Sequence, residues 1–307
     1  MITSLEIQNF KAFRHLTIGK LAKVNLFVGE GNSGKTTLLE GVSHIAYHHP
    51  PARSDEIRLL PKDEFHKVSA TALHEMKRWD LSHLDESNTT LISCMDQEKR
   101  TFSWPPTRNE LARSGAKAGL SAPRISLVPT FRLAPNDLAR QFDLWTRRDG
   151  DEERFVAFAK SVDPRVKSLR PKEHTGVRML YASIGLPELI PLPLLGEGLN
   201  RLIEIYGTII GEGADIVLID EIENGLHWKA LPKVWQGIRA VVDAEDVQIF
   251  ATTHSIECIE AASETFKGPP DDFAVHRLER RDDGDIHCVT IGEVELTGML
   301  EHGWEVR

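Results

Sequence analysis

Val24-Asn25-Leu26-Phe27-Val28 runs directly into Gly29-Glu30-Gly31-Asn32-Ser33-Gly34-Lys35-Thr36-Thr37-Leu38-Leu39-Glu40, and the reading of this stretch decides the fold. The apolar run predicts a strand and the glycines a turn. Leu38, Leu39, Val42 and Ile45 then recur at helical spacing. Strand, glycine-rich loop and helix, in that order, are the frame of a phosphate-binding loop. Gly29, Gly31 and Gly34 are expected to take positive φ and let the main chain approach an anion. The amides of Gly29, Glu30, Gly31, Asn32, Ser33, Gly34, Lys35, Thr36 and Thr37, with the positive end of the helix, can then wrap a phosphate. Lys35 adds a point charge on the β- and γ-oxygens, and the Thr36 hydroxyl is placed to ligate Mg²⁺.

A second segment supplies acids. Ile216-Val217-Leu218-Ile219 is a continuous apolar run, as expected of a parallel strand buried on both faces, and it ends in Asp220-Glu221. Asp220 is expected to hold Mg²⁺ with Thr36, and Glu221 to act as general base toward water. A third strand, in Gln248-Ile249-Phe250-Ala251-Thr252-Thr253-His254-Ser255, carries His254 to the same sheet edge. There a neutral imidazole can hydrogen-bond a γ-phosphate and orient the water. Phosphate loop, glycine-rich segment, Asp-Glu and His, in that order, resemble the motif order of ABC-type ATPases, a likeness that implies ATP hydrolysis. No Asn-Lys-x-Asp guanine-reading motif is present, so ATP is expected rather than GTP.

Leu5-Glu6-Ile7-Gln8-Asn9-Phe10-Lys11-Ala12-Phe13 resembles the opening of ABC-type ATPase heads in SMC, RecF and OLD-family proteins. That resemblance implies that Asn9, Phe10 and Arg14 lie near the adenine. The plainer reading is an edge strand with two packed phenylalanines. Leu194-Leu195-Gly196-Glu197-Gly198-Leu199-Asn200-Arg201 looks like the ABC signature of OLD-type ATPases. By that likeness Gly196, Glu197 and Gly198 would clamp the γ-phosphate bound by a second subunit, although the usual signature serine has no counterpart. Ile219 to His227 with Thr252 to Ser255 looks most like the compact relatives of OLD proteins, many of which act in bacterial defence beside a nuclease or toxin. A fused nuclease such as OLD proteins themselves carry is not expected in this chain. Asp282-Asp283-Gly284 reads as a hairpin turn, not as the Asp-x-Asp of such a domain.

The expected fold class is α/β: a P-loop NTPase of the ABC/SMC-head type, with a mixed sheet core, an antiparallel β subdomain and a helical insertion. Residues 1–49 and 177–307 would form the nucleotide-binding core, and 50–176 the subdomain and insertion, within a single domain. Within the insertion, helices are expected at 54–60, 71–81, 136–146 and 152–161, strands at 90–95, 100–104 and 124–128, and a mobile loop at 113–119. The later half predicts a strand at 177–183, an extended lead-in at 190–195, helices at 196–210, 228–242, 256–262 and from 293, and a hairpin of 273–279 with 286–291.

Composition narrows the class. A formal net charge of -9 argues against a chain built to coat nucleic acid. Three widely spaced cysteines suit a reducing compartment, and no stretch has the apolar length of a membrane span or the layout of a signal peptide. A cytoplasmic protein without membrane association is therefore expected. His44 and His48 stand four apart, but no third ligand accompanies them, so they read as helix-face histidines. The basic residues between Arg124 and Arg178, including Arg147-Arg148 and Lys167 to Arg170, read as solvated helix faces, with a nucleic acid or partner surface as the alternative. The expected partners are a second copy, in an ATP-sandwich dimer, and an effector protein. A RecF-like DNA-repair ATPase and a transporter's nucleotide-binding subunit are the competing readings.

Overall fold

The computed structural model describes residues 1–47, 91–99, 101–104, 123–128, 130, 133–174, 176–211, 213–269, 271–302 and 306. The expected helices at 54–60 and 71–81, the loop at 113–119, and His48 lie outside those residues.

The centre is a six-stranded sheet. Its strands are β3 (Val24–Val28), β6 (Ile125–Val128), β10 (Ile216–Ile219), β11 (Gln248–Thr252), β12 (Phe273–Arg280) and β13 (Ile286–Ile291), in the order β13-β12-β3-β11-β10-β6. All neighbours are parallel except the β12–β13 hairpin, so β3, β6, β10, β11 and β12 deliver their carboxyl ends to one edge. Crevices at such an edge are where open α/β sheets bind ligands.

The apolar runs divide between two cores by strict alternation. Ile216, Leu218, Phe27 and Phe250 face one side. Val217, Ile219, Leu26 and Ile249 face the other. On the first side lie α1 (Lys35–Tyr47) and an antiparallel sheet of β1 (Ile2–Phe10), β2 (Phe13–Ile18), β4 (Leu91–Asp96) and β5 (Thr101–Trp104), in the order β2-β1-β4-β5. Gln248 ties the two sheets together: its Oε1 accepts from Ile2 N (2.8 Å), and its Nε2 donates to Ile2 O (2.8 Å) and Ala22 O (2.7 Å).

On the second side pack α2 (Pro135–Trp145), α3 (Asp151–Val162), α4 (Glu197–Gly211), α5 (Leu231–Glu245) and α6 (Ile256–Thr265), with α7 (Glu293–Glu301) near the carboxyl end. They are joined by a small antiparallel sheet of β7 (Ser168–His174), β8 (Val177–Ser183) and β9 (Ile190–Pro191). Two expectations need correction here. The basic stretches are not helix faces: Arg147-Arg148 fall between α2 and α3, and 168–170 belongs to the edge strand β7, which also holds Pro171, as edge strands tolerate. The lead-in at 190–195 becomes a short strand followed by a 3-10 turn, Leu192–Leu195. The fold class itself is as expected: a mixed sheet core with antiparallel strands and packed helices.

Candidate functional site

The loop after β3 folds tightly because it must. Gly29 (φ +147) has the main-chain oxygen of Leu278 2.6 Å from where a Cβ would stand, and at Gly34 (φ +91) the Phe13 ring would be 2.9 Å away. No side chain fits at either place. Gly31 corrects the expectation, since it takes no positive φ. Its neighbour Asn32 (φ +61) makes the left-handed turn, a conformation asparagine tolerates. Arg280, at the end of β12, donates to Asn32 O (3.1 Å) and braces the loop from outside.

Lys35 Nζ lies within the loop, donating to Gly29 O (2.7 Å) and Glu30 O (2.9 Å). Burial lowers its pKa, while Asp220, Glu221 and Glu223 pull the other way. The ammonium thus feels the charge of three carboxylates from another part of the chain.

Asp220, at the end of β10, is ringed by hydroxyls. Thr36 donates to its Oδ2 (3.1 Å), Thr130 to Oδ2 (2.9 Å) and Thr252 to Oδ1 (2.6 Å). The four residues come from α1, the segment after β6, β10 and β11, so the parallel sheet edge assembles the cluster. Thr36 and Asp220 were anticipated as partners. Thr130 and Thr252 were not, because a lone threonine after a strand carries no spacing signal. Beneath them, buried Arg201 of α4 pairs with Glu204 (3.3 Å) and donates to Asp220 O (3.4 Å).

Glu221 holds a left-handed φ of +47, uncommon for a side chain of its kind, and its N–H donates to Thr252 Oγ1 (2.8 Å). Its Oε1 stands 4.0 Å from His254 Nδ1. Glu223 approaches His254 more closely: its Oε1 accepts from His254 N (2.9 Å) and lies 3.1 Å from Nδ1. Lys35, Thr36, Asp220, Glu221 and His254 are therefore neighbours at one sheet edge.

The remaining candidates are placed differently. Phe10 is buried, with the His44 ring edge-on at 5.5 Å, and Phe13 is buried under the phosphate loop. Both are packed phenylalanines, but the expected edge strand is corrected: β1 lies inside its sheet, between β2 and β4. Arg14 is exposed and pairs with Asp285 (3.3 Å), and Asn9 takes a left-handed φ of +50 at the end of β1. Gly196 (φ +115) turns the chain into α4, with its N–H on Pro193 O (3.3 Å). A Cβ on Gly198 would meet Leu226 at 3.4 Å, so the start of α4 abuts the turn that follows Glu221. Asp282 to Asp285 form the β12–β13 turn, with Gly284 at φ +84. Among the described residues no group of three or more His, Cys, Asp or Glu side chains could hold a metal, and no helix is long and apolar enough to cross a membrane.

Comparison with known proteins bears on this geometry. A family model described as "AAA domain, putative AbiEii toxin, Type IV TA system" matches residues 24–260. An ATP/GTP phosphatase of Helicobacter pylori is 22% identical over 330 residues, covering 87% of this chain and 89% of that protein. The ABC-type organic anion transporter ABCA8B of Mus musculus is 27% identical over 66% of this chain but only 14% of its own length. Among solved structures, an SMC head bound to the C-winged helix domain of ScpA aligns with a TM-score of 0.54 at 14% identity, covering 95% of this chain and 97% of that one. The SMC head domain from Thermotoga maritima aligns at 0.51, also at 14% identity, covering 94% and 98%. At such identities the likeness speaks for the fold alone.

Proposed function

The chain belongs to the family of P-loop ATPases described as AAA domain, putative AbiEii toxin, Type IV TA system, and from that premise we propose a Mg²⁺-dependent, ATP-gated switch. The observation that carries the reading is the hydroxyl-ringed Asp220 joined to Thr36 of the phosphate loop. Hard oxygen donors of this kind suit Mg²⁺, so the residues fit the ion: Thr36 and Asp220 would hold it, and when bound it would offset charge on the β- and γ-phosphates.

The protein's own groups would do the rest. The loop amides and Lys35 bind the phosphates, and turning Lys35 from the carbonyls of Gly29 and Glu30 to phosphate oxygens costs little, since both are acceptors. Glu221 takes the proton of the attacking water as its oxygen bonds to the γ-phosphorus and the bond to ADP breaks. His254, beside it, orients the reacting groups.

Two heads would sandwich two nucleotides, with Gly196, Glu197 and Gly198 reaching across. The exposed Leu194, next to this turn, and exposed Trp228, just after Leu226, support an apolar face there. We read the chain as akin to the compact OLD-type ATPases, working in the cytoplasm as the sensor of a defence system with an effector nuclease or toxin. The family description, which names a putative toxin, supports that setting.

The test is a pair of variants assayed for ATP binding, turnover and mass in solution. Glu221→Gln is expected to retain ATP, lose at least about 100-fold in kcat and accumulate as a dimer, while Lys35→Ala loses ATP binding. Unaltered turnover in Glu221→Gln would remove Glu221 from the role of base.

A further inference from the structure

His254 has its two carboxylate neighbours at unequal distances. Glu221 is at 4.0 Å from Nδ1, beyond hydrogen-bond reach, whereas Glu223 Oε1 is at 3.1 Å and also takes the main-chain N–H of His254 at 2.9 Å. The Glu223 side chain is largely buried, and its other oxygen, Oε2, is enclosed without a hydrogen-bond donor among the described residues. One oxygen therefore takes the main-chain N–H of the histidine and stands 3.1 Å from its ring nitrogen Nδ1. A carboxylate oxygen only accepts, so the ring nitrogen facing it must be the one that carries hydrogen. In a neutral imidazole the other nitrogen is then an acceptor.

We propose that Glu223 is the positioning residue for His254, fixing the Nδ1–H tautomer so that Nε2 accepts a hydrogen bond from the attacking water instead of donating one to the γ-phosphate. This rests on the ATPase reading above and sharpens the part His254 plays in it. Glu223 touches neither phosphate nor water in this scheme and acts through the ring. Its place in the chain fits the task. The turn from Asp220 to His227 starts with the carboxylate that faces Thr36, and its Leu226 abuts the start of α4. Glu223 thus fastens that turn to the loop after β11.

Two measurements test it, one without turnover. In protein labelled with ¹⁵N-histidine, at a pH where the ring is neutral, His254 is expected to show the Nδ1–H tautomer, identified by its absence from His254→Gln. In Glu223→Leu it is expected to revert to the Nε2–H form that free histidine favours in water. An Nε2–H ring in the unaltered protein would overturn the proposal.

In the ATPase assay, Glu223→Leu is expected to lower kcat about 10-fold or more with KM for ATP changed less than about 3-fold, and Glu223→Gln, which keeps an acceptor oxygen, to recover most of the loss. Adding His254→Ala to Glu223→Leu is expected to cost nothing beyond His254→Ala alone, because both act through one ring. Unchanged kcat in Glu223→Leu, or losses that multiply, would overturn the proposal. An inactive parent protein whose His254 nonetheless shows the Nδ1–H tautomer would instead contradict the ATPase reading and leave the positioning of the ring standing.

Discussion

Thr252 gathers more of the site than any motif assigns to it. Its hydroxyl donates to Asp220 Oδ1 and accepts from Glu221 N, so one side chain sets both the carboxylate proposed to hold the metal and the strained backbone of the proposed base. Thr252→Val keeps the shape and removes both bonds. It is expected to cost about 1–3 kcal/mol of stability and at least about 10-fold in kcat, read by urea unfolding and steady-state turnover.

A second residue-scale prediction concerns His276. It is buried between Asn25 Oδ1 (3.1 Å) and Thr290 Oγ1 (3.0 Å) and stacked on Phe27, and burial pushes its pKa down to about 3. The folded state keeps this ring neutral, while the unfolded chain takes up a proton below about pH 6.5. Stability from this residue is therefore full above pH 6.5. It falls by up to about 1.4 kcal/mol per pH unit from there toward pH 3. His276→Asn should show a slope shallower by one proton over that range in urea titrations, and an identical slope would contradict the assignment.

What was legible at this scale was the set of residues whose chemistry demands a fixed type at a fixed spacing: Lys35, Thr36 and the acids after β10. Thr130 and Glu223 were not legible as participants. Their partners lie at Asp220 and His254, and only the fold brings them together.

Among the elements, α4 shows how packing overrides local preference. Gly207 and Gly211 weaken a helix by about 1 kcal/mol each relative to alanine. Yet a Cβ at either would come within 2.2 and 2.1 Å of the Trp145 ring and its base, so α2 can lie against α4 only where both side chains are missing. Gly207→Ala therefore sets a gain of about 1 kcal/mol in propensity against overpacking of about 1–3 kcal/mol. Net destabilisation is expected, visible as a Tm lower by a few degrees in a thermal melt. A raised Tm would mean that Trp145 moves aside freely.

The strongly periodic elements, β3, β10, β11 and the helices between them, were readable because each buries two faces or one regular stripe. β7 was not. Only Leu169 of its seven residues is fully buried, and Arg170, Lys172 and Pro171 mimic a solvated helix or loop. Its strand character comes from pairing with β8, a long-range contact that no local pattern announces.

For the molecule as a whole, the topology explains why motifs spread from Lys35 to His254 can act as one. Parallel pairing of β3, β11, β10 and β6 brings four carboxyl ends to one edge, so the loop after each strand has nowhere else to go. The proposed dimer belongs to this scale too. Leu194→Asp and Trp228→Asp place charge on the exposed face beside the start of α4. They are expected to weaken ATP-dependent dimerisation of the Glu221→Gln protein by about 10-fold or more in analytical ultracentrifugation. ATP affinity of the single head should stay within about 3-fold. Dimerisation unchanged by both substitutions would move the interface elsewhere.

The central claim is that the loops after β3, β10 and β11 meet on one triphosphate. A structure determined with Mg²⁺ and a non-hydrolysable ATP analogue tests it most directly. The account predicts Lys35 Nζ at about 3 Å from phosphate oxygens, Thr36 and Asp220 on the ion, and Glu221 and His254 facing the γ-phosphate. A nucleotide bound elsewhere, or one that leaves Asp220 and His254 turned away from its terminal phosphate, would contradict it.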